Sequence, residues 1–556
     1  MIRQGNRSLT PQQISDLAYA FSLIKAEDDD LLVNHPSSIF VPTQAYRRVA
    51  GKRKCLVVGR KGVGKSAVVQ INRKLTESQF SQVIPLQADS LMFERFCNLL
   101  AAGREAHAEL QVSSDRVANV AWMRSLIFFS ALQACEWLLS GRGSPSDGDR
   151  ELLREAKEIL EGELMTEPAA DFHGRFHSLV EKALSLLSQI SGSLTDSPEE
   201  RARAKGDQLR KFFAPYPATV DQALSVIARS GFTLLITLDE FDDFVDSYMR
   251  TNPMAERKST LLDLFKGLVL AVKKLNSRPD LRWLHLLIAV PEDKLLELRL
   301  RENAAIDQFA LEITWSLKEL KDCVERRLTH VLGSATAWDD LFGFLVSSKN
   351  PTVKAKEQSF HYLVRHTNRK PRELMAYLQA IFESIDSDQK PADERMFQKV
   401  VEATTERIVE KQFLPEYGSE YPALEKLLHR LRTAKLRTVM PAEELKHHIR
   451  NWKPWDNEEM LNPAETLLRL FQMGVLGLRE TCPSETARTI RQNGTNVIYH
   501  FSFNGTSISS FHGAIKGLDE QDGQSQPSQL DLVFSPLFFE YLRVQHDKPY
   551  IINQVS

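Results

Sequence analysis

The residues best suited to chemistry lie at positions 59–66, where the sequence reads GRKGVGKS. This is the spacing G-x-x-x-x-G-K-S of a phosphate-binding loop. Glycines let successive backbone N–H groups turn toward an anion, and the helix that follows adds partial positive charge at its start. The predicted nucleotide-binding residues of this segment are Gly59, Arg60, Lys61, Gly62, Val63, Gly64, Lys65, Ser66 and Ala67. Lys65 would reach the β- and γ-phosphates, and the Ser66 hydroxyl would ligate Mg²⁺. The alternative is a glycine-rich turn that holds an incidental lysine.

An acidic pair ends the apolar run LLITLDE at positions 234–240. A near-continuous apolar run predicts a strand of a parallel sheet that is covered on both faces. Ligands of such sheets bind beyond the carboxyl ends of the strands. We therefore predict that Asp239 holds Mg²⁺ through a water molecule and that Glu240 polarises the attacking water. The alternative is a solvated acidic turn, which describes Asp242 and Asp243 better.

The elements around these residues alternate between strand and helix. An apolar run at 55–58 leads into the loop, and a helix-forming run starts at Ala67. Further strands are predicted within 80–90, before Asp239, at 281–290 and at 309–315. This alternation predicts an α/β fold, in which a parallel-sheet P-loop core occupies residues 37–315.

Segments outside this alternation are mostly helical in pattern. We expect a helical lead-in at 1–36, a helical insertion at about 95–228 and a helical lid at 316–413. The insertion is far too long for a plain connection between strand and helix. In the remaining residues, 414–556, three helical segments precede strand-like runs. That order predicts a winged-helix-like domain or, as an alternative, a helical cap.

Composition and charge bear on nucleic-acid binding, cellular compartment and membrane association. The 556 residues exceed one hydrophobic core, and 71 basic against 73 acidic residues give a net charge of −2. No global basic field attracts nucleic acid, so DNA contact would need a local patch. Five scattered cysteines without a C-x-x-C pair are typical of reduced thiols in a cytoplasmic protein. The N-terminus lacks a signal-peptide core and the apolar runs are too short for a membrane span, so we expect no membrane association.

Taken together, the chain resembles AAA+ and STAND-like ATPases of the ASCE group, which includes initiator-type and KAP-type P-loop proteins. The segments that carry the resemblance are IFVPTQAY, GRKGVGKS, LLITLDEFDD, LLIAVPEDKL, LEITWSLKELKDCVERRL and TNRKPREL. It implies that Arg372, on the lid, senses the γ-phosphate, and that Phe40 and Val41 line the adenine pocket. The alternative for Arg372 is an exposed arginine at the start of a helix. An arginine finger would be Arg299 or Arg301. The chain departs from the group at Val290-Pro291-Glu292, since relatives place a polar or basic sensor at that strand end. Glu292 and Asp293 could take that role, and a helix N-cap with acidic residues in the first turn explains them equally well.

These features predict a Mg²⁺-dependent ATPase, in which Lys65, Glu240 and Arg372 carry the catalytic roles. No H-E-x-x-H, nucleophile elbow or zinc spacing indicates another chemistry. We expect a nucleotide-driven switch or assembly ATPase that acts on a protein partner and forms a homo-oligomer. The resemblance implies a bacterial defence or signalling system. The alternatives are a DNA-binding initiator or loader ATPase and a scaffold that binds nucleotide without hydrolysing it.

Overall fold

A computed structural model describes most of the chain. The described residues are 2–4, 7–22, 29–50, 54–87, 96–101, 113–164, 180, 217–240, 255–292, 308–347, 356–418, 421–450, 462–482, 491–492, 495–504, 510–511 and 530–545. They divide into two compact units. Unit 1 comprises 1–43, 62–64 and 314–556, and unit 2 comprises 44–61 and 65–313. The predicted lead-in, lid and C-terminal region therefore belong to one unit.

The described part contains short and medium strands. In chain order they are β1 (Ile2–Gln4), β2 (Arg7–Leu9), β3 (Leu56–Gly59), β4 (Gln82–Gln87), β5 (Leu234–Asp239), β6 (Leu284–Pro291), β7 (Ala310–Glu312), β8 (Leu345–Ser347), β9 (Lys356–Gln358), β10 (Val439–Met440), β11 (Leu476–Cys482), β12 (Arg491–Gln492), β13 (Thr495–His500) and β14 (Leu530–Phe534).

Helices make up the larger share of the described residues. They are α1 (Pro11–Ala20), α2 (Asp30–Asn34), α3 (Pro36–Ile39), α4 (Gln44–Ala50), α5 (Lys65–Thr76), α6 (Ser114–Trp137), α7 (Asp147–Leu164), α8 (Ala218–Arg229), α9 (Ala255–Asn276), α10 (Leu317–Leu332), α11 (Trp338–Phe342), α12 (Ser359–Arg365), α13 (Pro371–Asp388), α14 (Glu394–Ile408), α15 (Leu414–Gly418), α16 (Leu424–Thr433), α17 (Ala442–Arg450), α18 (Pro463–Gln472) and α19 (Phe539–Leu542). No helix among them is both long enough and apolar enough to cross a bilayer.

Unit 2 contains a five-stranded sheet in the order β4-β5-β6-β3-β7. Each of its strand pairs is parallel, as the continuous apolar runs predict. All four residues of β3 are buried, and so are the first five of β5. The mixed α/β class is thereby confirmed. Because the strands are parallel, their carboxyl ends share one edge of the sheet.

Two long helices, α6 and α9, pack against each other in the core of unit 2. A Cβ atom at Gly267 of α9 would lie 2.6 Å from the Ala118 Cβ and from the Asn119 backbone nitrogen of α6, so the two backbones meet closely there. Trp122 Nε1 donates to the Leu264 carbonyl at 3.1 Å, and Asn119 Nδ2 donates to the Gly267 carbonyl at 3.0 Å. The predicted insertion thus contributes a central core helix, because α6 buries residues around its whole circumference.

The N-terminal segment of unit 1 is held by two adjacent arginines of α10. Arg327 donates through Nη1 to the Ala20 carbonyl at 2.9 Å and forms a buried ion pair with Asp29. Ser316 and Glu319 form a capping box that fixes the start of α10. Ala20 and Asp29, in the middle of this segment, are therefore tied to one well-capped helix.

The C-terminal part of unit 1 contains a second sheet. Its order is β10-β14-β11-β13-β12, and its strand pairs are antiparallel. Helices α16, α17 and α18 precede β11, and β10 lies between α16 and α17. The helices predicted before the strand-like runs of 414–556 are thus present as α16, α17 and α18, and the short helix α15 precedes them.

Candidate functional site

The phosphate-binding motif occupies a strand–loop–helix unit. Strand β3 ends at Gly59 and helix α5 begins at Lys65, which gives the loop the strand before and the helix after that phosphate binding requires. The Lys65 side chain is only 6% exposed, and its Nζ donates to the Arg60 carbonyl at 3.2 Å. The ammonium group is therefore held against the backbone of its own loop. Ser66 and Ala67 occupy the next positions of α5.

Two glycines of the motif adopt left-handed backbone conformations. Gly62 has φ of 81° and Gly64 has φ of 100°. Residues with a Cβ rarely adopt such angles, so these positions favour glycine for a conformational reason. Left-handed residues thus stand on either side of Val63. Such alternation of left- and right-handed backbone conformations turns consecutive peptide N–H groups toward one side, which is the geometry that binds anions.

Asp239 lies at the same edge of the unit 2 sheet as the end of β3. Leu238 pairs with Ile288 of β6, and Ile288 pairs with Leu56 of β3. Asp239 is therefore level with Val57, two strands away, at a lateral separation of about 10 Å. Strand β6 lies between them, so Asp239 and the loop that follows β3 are at the carboxyl ends of strands two positions apart in the sheet.

Glu240 follows with an unusual backbone. Its φ of 68° is left-handed, and its N–H donates to Asp239 Oδ1 at 2.8 Å. A left-handed conformation costs a residue with a side chain on the order of 1–2 kcal/mol. Such strain is concentrated at functional positions, where it aims a side chain. Asp242 and Asp243 lie outside the described residues.

An ion pair joins the loop to the end of β6. Arg60 Nε donates to Glu292 Oε2 at 3.3 Å, and the two side chains are 9% and 19% exposed. From the sequence, Glu292 was a possible substitute sensor or part of a helix N-terminus, and no ion pair with the loop was predicted. In the structure its charge is balanced by Arg60, which removes a negative charge that would repel phosphate. Asp293, Arg299 and Arg301 lie outside the described residues.

Unit 1 contains the three central loop residues, Gly62–Gly64, together with Trp315 and Arg372. Trp315 Nε1 donates to the Val63 carbonyl at 2.8 Å, and the Arg372 backbone N–H donates to the Gly62 carbonyl at 3.4 Å. A Cβ at Gly62 would lie 3.2 Å from the Arg372 Cβ. The structure thus places Arg372, at the start of α13, directly beside the loop residue Gly62.

Phe40 and Val41, predicted to line an adenine pocket, are buried residues of unit 1. Arg326 Nη1 donates to the Phe40 carbonyl at 3.0 Å, and the Thr43 N–H donates to the Val41 carbonyl at 2.8 Å. This segment is therefore anchored by α10. Arg326 and its neighbour Arg327 therefore both donate to backbone carbonyls in the N-terminal part of unit 1.

A cavity of about 150 Å³ in unit 2 lies at the opposite edge of the sheet. It is lined by residues at the amino ends of the strands, including Cys55 and Leu235, and by Asn72 of α5. We assign the candidate site to the motif rather than to this cavity, because phosphate-binding loops act at the carboxyl ends of strands. Cys55 is a buried core residue, and this burial raises the pKa of its thiol to about 12.

The candidate donors suit Mg²⁺, which prefers hard oxygen ligands such as the Ser66 hydroxyl and the Asp239 carboxylate. Within the described ranges no cluster of three or more His, Cys, Asp or Glu side chains is arranged to hold a metal ion. A site of the predicted kind would complete its ligand shell with phosphate oxygens and water. Comparison of the sequence with protein-family models and with curated proteins gave no match.

Three contacts at the site were not predicted from the sequence: Trp315 to Val63, Arg372 to Gly62, and Arg60 to Glu292. Each joins residues more than 200 positions apart, and no local pattern encodes such a pairing. A weak signal existed for Glu292, since an acidic residue at a strand end beside a phosphate loop needs a compensating cation.

Proposed function

We propose that the chain is a Mg²⁺-dependent P-loop ATPase. The observation that carries this proposal is the loop itself: left-handed Gly62 and Gly64 between a buried strand and helix α5, with Lys65 buried at the helix start. Asp239, at the same edge of the parallel sheet, supports it independently.

In this proposal each residue has one task. Backbone N–H groups of the loop and the Lys65 ammonium bind the β- and γ-phosphates of ATP. Ser66 and Asp239 hold Mg²⁺, which neutralises charge that develops on the phosphate oxygens. Glu240 accepts a proton from, and orients, the attacking water. The roles of Arg372 in γ-phosphate sensing and of Phe40 and Val41 in adenine binding stay predictions.

We further propose that hydrolysis switches the interaction of the chain with a protein partner or with further copies of itself. The net charge of −2 favours a protein over DNA as that partner. The order of α16, β10, α17, α18 and the antiparallel sheet supports a winged-helix-like C-terminal region. In a winged helix, α18 would be the recognition helix. It has a single arginine, Arg469, whose Nη2 donates to Glu465 at 2.5 Å, so α18 has few side chains available to contact bases.

ATP turnover of purified variants tests the proposal. Lys65→Ala and Glu240→Gln are expected to lower the rate at least a hundredfold, since each removes transition-state stabilisation worth about 3 kcal/mol or more. Lys74→Ala is the matched control, because Lys74 is nine residues further along the same helix, about 13 Å from Lys65. Wild-type turnover no higher than that of Glu240→Gln would refute hydrolysis. Stimulation of turnover by duplex DNA at low salt, lost at high salt, would favour the initiator alternative.

A further inference from the structure

Two peptide groups of the phosphate loop are held by hydrogen bonds from distant parts of the sequence. The Val63 carbonyl accepts from Trp315 Nε1, and the Gly62 carbonyl accepts from the Arg372 N–H. All of these residues belong to unit 1. Trp315 is 9% exposed and Val63 is 8% exposed, so the indole bond is shielded from water.

Because the peptide group is planar, these two hydrogen bonds also determine the direction of the neighbouring N–H groups. In a planar trans peptide the C=O and the following N–H point in opposite directions. A Val63 carbonyl that points at Trp315 therefore directs the Gly64 N–H away from Trp315. In the same way, the bond from Arg372 directs the Val63 N–H away from α13. Anion-binding loops use such consecutive N–H groups as their phosphate donors.

Both anchors are well fixed. Trp315 directly precedes Ser316, the N-cap of α10, whose capping box is complete. Arg372 is the second residue of α13 and follows Pro371. The first N–H groups of a helix lack intrahelical acceptors, and the Gly62 carbonyl provides one for α13. Gly62 and Gly64 make the loop backbone flexible, and without these two hydrogen bonds its peptide groups would be free to rotate.

We propose that Trp315 is a positioning residue of the phosphate loop: its indole N–H fixes the Val63–Gly64 peptide so that the Gly64 N–H is oriented for phosphate before nucleotide binds. This rests on the proposed function. Trp315 does not touch the nucleotide, and it acts by removing the need to order the loop on binding. Its ring also packs beside Gly64, where an added Cβ would lie 3.8 Å from the ring atom Cζ2.

The test is the dissociation constant of Mg-ATP, measured by calorimetry on the full chain. Trp315→Phe keeps an aromatic ring but loses the donor, and we expect affinity to fall about fivefold, the worth of one buried hydrogen bond. Trp338→Phe is the matched control. Trp338 is buried in the same unit and donates an indole bond of the same 2.8 Å length, to Ser359 Oγ. Its replacement should lower the melting temperature without changing nucleotide affinity.

An isosteric replacement covers the case in which Trp315→Phe does not fold. Incorporation of benzothienylalanine at position 315 replaces the indole N–H with sulfur and keeps the ring volume. The same fivefold loss of affinity in a variant that still folds supports the proposal. Unchanged affinity in this variant, or an equal loss in Trp338→Phe, overturns it. A wild-type chain that binds no nucleotide would instead refute the proposed function.

Discussion

Glu240 combines a strained backbone with the position expected of a water-activating carboxylate. Its φ is 68°. Within the described residues, the other non-glycine residues with positive φ are Arg369, Gln389, Lys435 and Arg543. Gln389 caps the end of α13, where a left-handed residue is ordinary and glycine is preferred. Glu240 caps no helix in the described residues and directly follows a buried strand, so helix capping does not account for its left-handed backbone.

This distinction gives a prediction for Glu240→Gly. Glycine adopts the observed φ freely, so we expect the free energy of unfolding to stay constant or rise by up to about 1 kcal/mol, while ATP turnover is lost. Calorimetry and a turnover assay measure the two effects. Gln389→Gly is the control and should stabilise similarly with full turnover. A clear loss of stability in Glu240→Gly alone would mean that the side chain supports the fold rather than catalysis.

At the level of residues, the local structure of the loop was predictable because its motif is local. Its eight positions encode the strand end, the left-handed glycines and the helix start without reference to distant segments. The position of the acidic pair 239–240 at the end of β5 was predictable for the same reason, and its proposed roles stay predictions. The bond from Trp315 to Val63 was not, because it depends on how residues 252 positions apart are brought together.

The core of unit 2 depends on the crossing of two helices, α6 and α9. Asn119 accepts from Lys274 Nζ at 2.7 Å and donates to the Gly267 carbonyl, and Asp115 forms an ion pair with Lys266. These polar contacts are found where the backbones are closest. Since α6 comes from the predicted insertion, the insertion is part of the unit that carries Lys65 and Asp239.

Gly267→Ala should therefore destabilise the chain. Its Cβ would meet the α6 backbone at 2.6 Å, so the helices must move apart, at a cost of about 1–3 kcal/mol. Gly148→Ala, in the first turn of α7, is the matched control because no atom lies within 4 Å of an added Cβ. That substitution should be neutral or stabilise by up to about 1 kcal/mol through helix propensity. Thermal unfolding of both variants measures the difference, and equal melting temperatures would contradict the close crossing.

The sequence predicted strands correctly where a strand is buried along its length, and missed strands that pair over only two or three residues. The apolar runs gave β3, β5 and β6 correctly, although the fifth strand, expected at 309–315, covers only Ala310–Glu312. The hairpin of β8 and β9 was missed, since three-residue strands are too short to show alternation. Strand β10 was missed as well, because two residues acquire strand geometry only by pairing with β14.

At the scale of the whole molecule, buried ionisable groups link stability to pH. Burial raises the pKa of both the Cys55 and the Cys135 thiol to about 12, from an ordinary value of 9.0. Both thiols belong to unit 2. Between pH 9 and 12 the unfolded chain has lost these two protons, whereas the folded chain keeps them. Their stabilising contribution is therefore complete below pH 9 and declines as the pH rises toward 12.

We accordingly expect the stability of unit 2 to fall above pH 9, by about 1.4 kcal/mol per pH unit for each thiol. The measurement is the free energy of urea unfolding at pH 8, 9, 10 and 11, followed by circular dichroism. The double variant Cys55→Ala, Cys135→Ala is the comparison: its absolute stability is lower because of the cavities, but its pH slope should be shallower by about 2.7 kcal/mol per unit. Because the slope is compared within each protein, the cavity cost cancels. Parallel slopes would show that the thiols ionise as readily in the folded chain as in the unfolded one, in contradiction to their burial.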